Sequence, residues 1–263
     1  MQVKDQLQRT IHIDKTPKRI VSLVPSQTEL LCYLGLENLL VGVTKFCVHP
    51  KNLFKDKTIV GGTKQVHVDK IQELQPDIIL CNKEENTIEI VNSLEAIASV
   101  HISDINSIED CLELIAMYGQ IFKIEEKASS LIKRIQNAQS KFELFTKSQP
   151  KPIVSYFIWK DPWMVVGKDT FINYMLELNG FENYFANLLR YPEIHLNKEY
   201  SEIDYVFLSS EPYPFKEAHY SQIKPYFPNA KIIIVDGEMF SWYGSRLLQS
   251  FDYFKKLRQD ISK

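Results

Sequence analysis

Side chains suited to holding a large flat ligand gather in a few short stretches of this chain. The sequence "IIIVDGEMFSWYGSRL" (residues 232–247) leaves a β-branched run through Asp236 and Gly237. It then presents Met239, Phe240, Trp242 and Tyr243, with Arg246 behind them. Methionine and phenylalanine give adaptable apolar contact, and tryptophan and tyrosine give flat faces with polar tips. A guanidinium can pair with a carboxylate or phosphate, or brace the loop through its carbonyls. In "IWKDPWMVVG", Trp159 and Trp163 flank a turn at Asp161-Pro162. Pro25-Ser26-Gln27 opens a helix whose free N–H groups favour an anion or a carbonyl oxygen. Each set also has a plain structural use. The aromatics can cover the C-terminal helix or a sheet edge, and Ser26 can simply cap its helix, with Glu29 in capping-box position. Trp242→Ala separates the two uses. Loss of a core tryptophan costs ~3–5 kcal/mol of stability, whereas loss of a ligand-facing one costs affinity.

Catalytic and metal chemistry are not indicated. There is no G-x-S-x-G elbow, Walker loop or G-x-G-x-x-G turn. "VGGTKQV" lacks the G-K-S/T ending, and Glu84 and Glu85 are adjacent, as in a solvated loop. Of the six histidines only His49 falls clearly at a predicted strand end, and no His-x-x-x-His pair occurs, so no metal site is expected. Cys32, Cys47, Cys81 and Cys111 form no C-x-x-C pair.

The 263 residues suffice for one large domain or two lobes, and 44% hydrophobic with 24% charged residues is an ordinary globular balance. A net charge of -2 gives no basic footprint for nucleic acid. No apolar run approaches the ~18 residues of a membrane span. The polar start "MQVKDQLQRTIHIDKTPKR" has no apolar core of a signal peptide. With four unpatterned cysteines, the chain as written is expected to be cytoplasmic; a removed leader would make it periplasmic or cell-surface.

The elements that position these residues alternate at α/β spacing. "RIVSLVP", "LLVGVTKF", "IVGGTK" and "DIILC" read as strands separated by helices, which argues for a parallel sheet. From Ser107 to about Lys147 apolar residues recur at helical steps without a proline, predicting one helix of ~40 residues, ~60 Å long. "SQPKP" ends it, and a second α/β set follows through "IVSYFI", "YVFLSS" and "KIIIVDG". The expectation is an α/β chain of two lobes with mainly parallel sheets joined by a single long helix: residues 1–105, a connecting helix at 106–148, and 149–263. "GLEN" and "GFEN" echo each other after the first helix of each lobe. Ligands of open parallel sheets bind beyond the carboxyl ends of the strands. Those ends carry Pro25, Ser26 and Gln27, Phe46 and His49, Asn82, Trp159 and Trp163, Glu211 and Tyr213, and Phe240, Trp242, Tyr243 and Arg246. They are the candidate ligand-binding residues of a cleft between the lobes.

The segments "RIVSLVPSQTELLCYLGL", "VGVTKFCVHP", "VDKIQELQPDIIL" and "WYGSRL" together resemble the class III, helical-backbone substrate-binding proteins of ABC importers. The resemblance runs from about Arg19 to the C-terminus and is nearest to the cobalamin-binding branch. It implies capture of a corrinoid, haem or iron chelate, no catalytic cofactor, a monomer, and an importer membrane subunit as partner. That branch carries a tryptophan after the "PDIIL" strand, where this chain has Cys81-Asn82. It also docks on its transporter through glutamates. The first-lobe position falls at Ile88, so Glu84, Glu85 and Glu89 are the candidates there, and Glu217 in the second lobe. The alternative class is a cytoplasmic enzyme acting on a large aromatic or nucleotide-like substrate in the same cleft, and a further one is a binding protein that handles its ligand inside the cell.

Overall fold

The structure is a computed structural model and describes residues 1–261. The chain divides into two units, residues 1–136 with 242–247, and residues 137–241 with 248 onward. In the first unit β1 (Gln2–Lys4) and β2 (Thr10–His12) form an antiparallel hairpin. Then follow β3 (Ile20–Ser22), α1 (Pro25–Tyr33), β4 (Leu40–Val43), β5 (Thr58–Ile59), α2 (Val68–Glu73), β6 (Ile78–Asn82), α3 (Ile88–Glu95) and β7 (Ser99–Ser103). The sheet order is β5-β4-β3-β6-β7, every pair parallel. Strands β3 and β6 are buried along their whole length, Ser22 and Asn82 included.

The expected ~40-residue helix is two helices, α4 (Ile108–Phe122) and α5 (Glu125–Thr146). Lys123 ends α4 in a left-handed conformation, φ 59°, and the Ile124 amide returns to the Gly119 carbonyl. Helical periodicity continues across such a cap because both helices bury one apolar face, so spacing alone conceals the break. The division between the units falls inside α5, after Gln136.

The second unit holds β8 (Ile153–Trp159), β9 (Met164–Val165), α6 (Phe171–Leu178), β10 (Glu182–Asn183), β11 (Tyr205–Ser209), α7 (Tyr220–Ile223), β12 (Lys231–Val235), α8 (Gly237–Ser241) and most of α9 (Leu247–Ile261). Its order is β10-β8-β11-β12, all parallel, with β9 antiparallel on β8. The "GLEN"/"GFEN" echo is one helix ending used twice. Gly35 (φ 80°) and Gly180 (φ 72°) close α1 and α6. The Leu36 and Phe181 amides then reach back to the Leu31 and Leu176 carbonyls. Glycine tolerates the positive φ of this cap without steric cost.

The N-terminal hairpin was not foreseen. Its turn residue Asp5 is fully buried and accepts hydrogen bonds from Leu7, Arg9 and Ile102, while the Arg9 guanidinium bonds the Val100 carbonyl. Beneath it, in β7, His101 is buried, with neither ring nitrogen hydrogen-bonded and Tyr118 edge-on at 5.6 Å. Burial pushes its pKa from 6.5 down to about 4, against the attraction of Asp5. The unfolded chain therefore binds a proton that the native chain refuses between those two values. Stability is expected to fall as pH drops from about 6.5 to about 4, by on the order of 3 kcal/mol in total. Denaturant titrations across this window should show that slope in the parent and a flatter one in His101→Leu. An unchanged slope in the variant would assign the acid sensitivity elsewhere.

Candidate functional site

In the first unit the strand order reverses between β3 and β6, the position where open α/β sheets take ligands. Here that crevice holds the chain's own side chains. Gln27, in the first turn of α1, is fully buried. Its amide nitrogen lies 2.6 Å from Ser103 Oγ, 2.9 Å from the Tyr243 hydroxyl and 3.4 Å from the Cys81 carbonyl. Its carbonyl accepts from the Tyr118 hydroxyl at 2.5 Å. Asn82 adds a bond to Ser103 Oγ at 3.0 Å, and its own oxygen accepts the Glu84 and Glu85 amides. Burial pushes the Tyr118 and Tyr243 phenols well above their ordinary range, so both stay protonated.

The stretch from Trp242 to Leu247 belongs to this unit. Gly244 (φ 86°) lets the backbone turn against Leu30, where a Cβ would sit 3.1 Å from the leucine side chain, and its amide donates to Cys111 Sγ. Arg246 Nε donates to Glu29 at 2.9 Å, and its guanidinium lies 5.0 Å from the Trp242 ring centre. His49 meets the same ring edge-on at 5.5 Å. Trp242, Tyr243 and Arg246 keep 7%, 5% and 4% of their surface exposed.

Several expectations are corrected by this packing. Gln27, Asn82, Tyr243 and Arg246 are buried and make hydrogen bonds within the protein. Pro25 and Ser26 are buried as well. Ser26 does not cap α1; Val24 is the N-cap and Pro25 occupies the first turn, where a missing N–H costs nothing. Glu29, read as half of a capping box, is the partner of Arg246. Phe240 is not a loop residue. It lies in α8 with no exposed surface, against Tyr156 at 5.1 Å and Phe254 at 4.7 Å in the core of the second unit. The contacts that sequence reading missed, Ser103 and Tyr118, carried one signal. Each is a hydroxyl at a position whose period places it inside.

Several apolar side chains stay open to solvent at the strand ends, beside charged ones such as Lys83. In the first unit Phe46 is 48% exposed after β4, with the Lys45 ammonium 5.1 Å from its ring centre, and Val48 and Ile88 are also exposed. In the second unit Trp159 is 39% exposed at the end of β8, with Tyr213 edge-on at 5.6 Å. Tyr213 in turn meets Phe215 and His219. Glu211 is half-buried and accepts from Ser241. Trp163 stacks on Phe215 at 6.1 Å and lines a separate groove. Of the candidate docking acids, Glu89 and Glu217 are exposed and Glu84 and Glu85 half-exposed. The backbone amide at Glu89 and the Thr87 hydroxyl hold the Glu89 carboxyl below the usual range. Among the described residues no three His, Cys, Asp or Glu side chains come together as a metal set.

This arrangement predicts opposite behaviour for two aromatics. Trp242→Ala is expected to cost ~3–5 kcal/mol of stability, as for a core tryptophan. Phe46→Ala is expected to stay within about 0.5 kcal/mol of the parent, as for a surface site. Urea denaturation of both variants checks this. A Trp242→Ala protein as stable as the parent would return Trp242 to the ligand surface.

Comparison with known proteins gives three concordant results. A family model described as "Periplasmic binding protein" matches residues 20–212. An uncharacterized ABC transporter substrate-binding lipoprotein of Bacillus subtilis (strain 168) is 31% identical over 196 residues, 70% of this chain and 61% of that protein. A vitamin B12-binding protein of Yersinia pestis (strain Pestoides F) is 28% identical over 174 residues, covering 65% and 61%. The chain thus spans about three fifths of the length of these curated relatives. Among solved structures, a possible iron-binding (periplasmic solute-binding) protein of Staphylococcus epidermidis ATCC 12228 superposes with a TM-score of 0.77 at 25% identity, over 95% of this chain and all of that one. The expectation of a cytoplasmic chain is overturned, because a family of periplasmic proteins and a lipoprotein relative point outside the cytoplasm. The four cysteines do not decide the compartment. All four are free, and burial pushes Cys32, Cys81 and Cys111 up to about 12. With a match over most of its length, the chain belongs to the periplasmic binding protein family.

Proposed function

We propose that this protein captures a corrinoid, haem or iron-chelate ligand at the carboxyl ends of its parallel strands and delivers it, unaltered, to the membrane subunit of an ABC importer. The observation that carries this reading is the exposed apolar surface at those ends, Phe46 and Val48 in one unit and Trp159 beside Tyr213 in the other. Rigid flat side chains suit a large flat ligand, because little rotamer freedom is lost on contact. Among the three ligand classes we favour a corrinoid, and a vitamin B12-binding relative supports that choice. His49 packs against Trp242 in the first unit, and Glu211 accepts from Ser241 in the second. Glu84, Glu85 and Glu89 in the first unit and Glu217 in the second are the acids offered to the importer. Glu89 is held in its charged form by the start of α3 and suits a basic partner best. The protein acts as a monomer and turns nothing over.

Titration calorimetry with cyanocobalamin, haemin and a ferric chelate tests the reading. One of them is expected to bind at one per chain and to be recovered chemically unchanged. Phe46→Ala and Trp159→Ala should each weaken it about tenfold, a loss of about 1.4 kcal/mol, with the melting temperature unmoved. Failure of all three to bind would contradict the ligand class. Recovery of an altered ligand would favour the enzyme.

A further inference from the structure

We propose that a groove on the second unit, apart from the Trp159 surface, binds a flat aromatic acid. The groove has a volume of about 430 Å³ and is lined by Lys160, Asp161, Trp163, Ile194, His195, Gln222 and Tyr226 among others. Small-molecule sites fall in the range of roughly 300–1,000 Å³. Its aromatic wall is fixed in advance. Trp163 is stacked on Phe215, the ring planes nearly parallel at 7°, and Phe157 meets the ring at 88°. The Trp163 carbonyl accepts the Ile194 amide, which joins the two walls of the groove through the backbone. Tyr226 is held in the same way, its carbonyl taking the Tyr200 amide at 2.7 Å.

Lys160 supplies the charge. Among the described residues it is the one lysine of this unit that is not exposed. Lysines ordinarily extend to water, yet the Lys160 side chain keeps only 20% of its surface accessible and its ammonium lies 5.9 Å from the Trp163 ring centre. Its acidic neighbour Asp161 lines the same groove and pairs with it at 3.4 Å, but the Asp161 side chain is 80% exposed, so water screens the pair and a ligand carboxylate can compete for the ammonium. An ammonium folded over an aromatic wall, with an amide and an imidazole on the rim, is complementary to a planar body bearing one carboxylate. The carboxylate would take the charge-assisted bond from Lys160, and the ring would lie on Trp163. This site is independent of the corrinoid, haem or iron-chelate reading, and its failure would leave that reading intact.

The test uses the whole protein and 2-naphthoate as probe. The chain has three tryptophans, so an indole ¹⁵N–¹H spectrum has three resonances, and Trp163→Phe identifies the relevant one. 2-Naphthoate is expected to shift the Trp163 signal saturably while leaving those of Trp159 and Trp242 in place. Lys160→Gln should weaken binding about tenfold, and the neutral isostere 2-naphthalenemethanol should bind the parent about tenfold more weakly than the acid. No saturable shift, equal affinity in Lys160→Gln, or equal affinity for the alcohol would each overturn the proposal.

Discussion

The side-chain amide of Gln27 is the fixed point around which the first unit is arranged. It reaches the ends of β6 and β7, through the Cys81 carbonyl and Ser103, and it holds the Tyr118 and Tyr243 hydroxyls. An amide offers two donors and one acceptor oxygen, so one group serves α1, α4, two strands and the C-terminal stretch at once. A parallel sheet that reverses its order leaves a crevice at that position. In this chain Gln27 at the start of α1 bonds the Tyr243 hydroxyl at that position.

The Glu29–Arg246 pair belongs to the same clamp. A buried ion pair adds little net stability, but removal of one partner strands the other charge at a cost of about 3–5 kcal/mol. Its value is therefore positional. It sets the Trp242 ring beneath the guanidinium and beside His49, and it fixes where the last helix begins. The aromatic residues of "MFSWYGSRL" thus do two structural jobs in two units. Phe240 completes the core of the second, and Trp242 and Tyr243 complete the first.

The α/β class, the parallel strands and the glycine-closed helices were legible because each rests on local pattern. Mostly apolar runs gave β3, β6 and β8, and the "GLEN" and "GFEN" phrases gave two identical helix ends. The break at Lys123 was not legible, because a left-handed lysine has no sequence signature comparable to glycine. Of the candidate site residues, Phe46 and Trp159 stand exposed at strand ends, and Tyr213 is half-buried. Gln27, Asn82, Tyr243 and Arg246 have the right types at the right strand ends, but their partners lie up to 217 residues away along the chain. Only the tertiary structure decides whether a polar tip meets a ligand or another side chain. The hairpin that buries Asp5 and His101 was hidden for the same reason, since its residues read as a mixed polar tail.

The central claim is that Tyr243 and Gln27 form one buried unit. A double-mutant cycle on unfolding free energy, with Gln27→Leu and Tyr243→Phe singly and together, tests it most directly. The two are expected to be coupled by about 1–3 kcal/mol, because once one partner is gone the loss of the other costs less. Additivity to within about 0.3 kcal/mol would mean that the two side chains act independently, and would contradict the account.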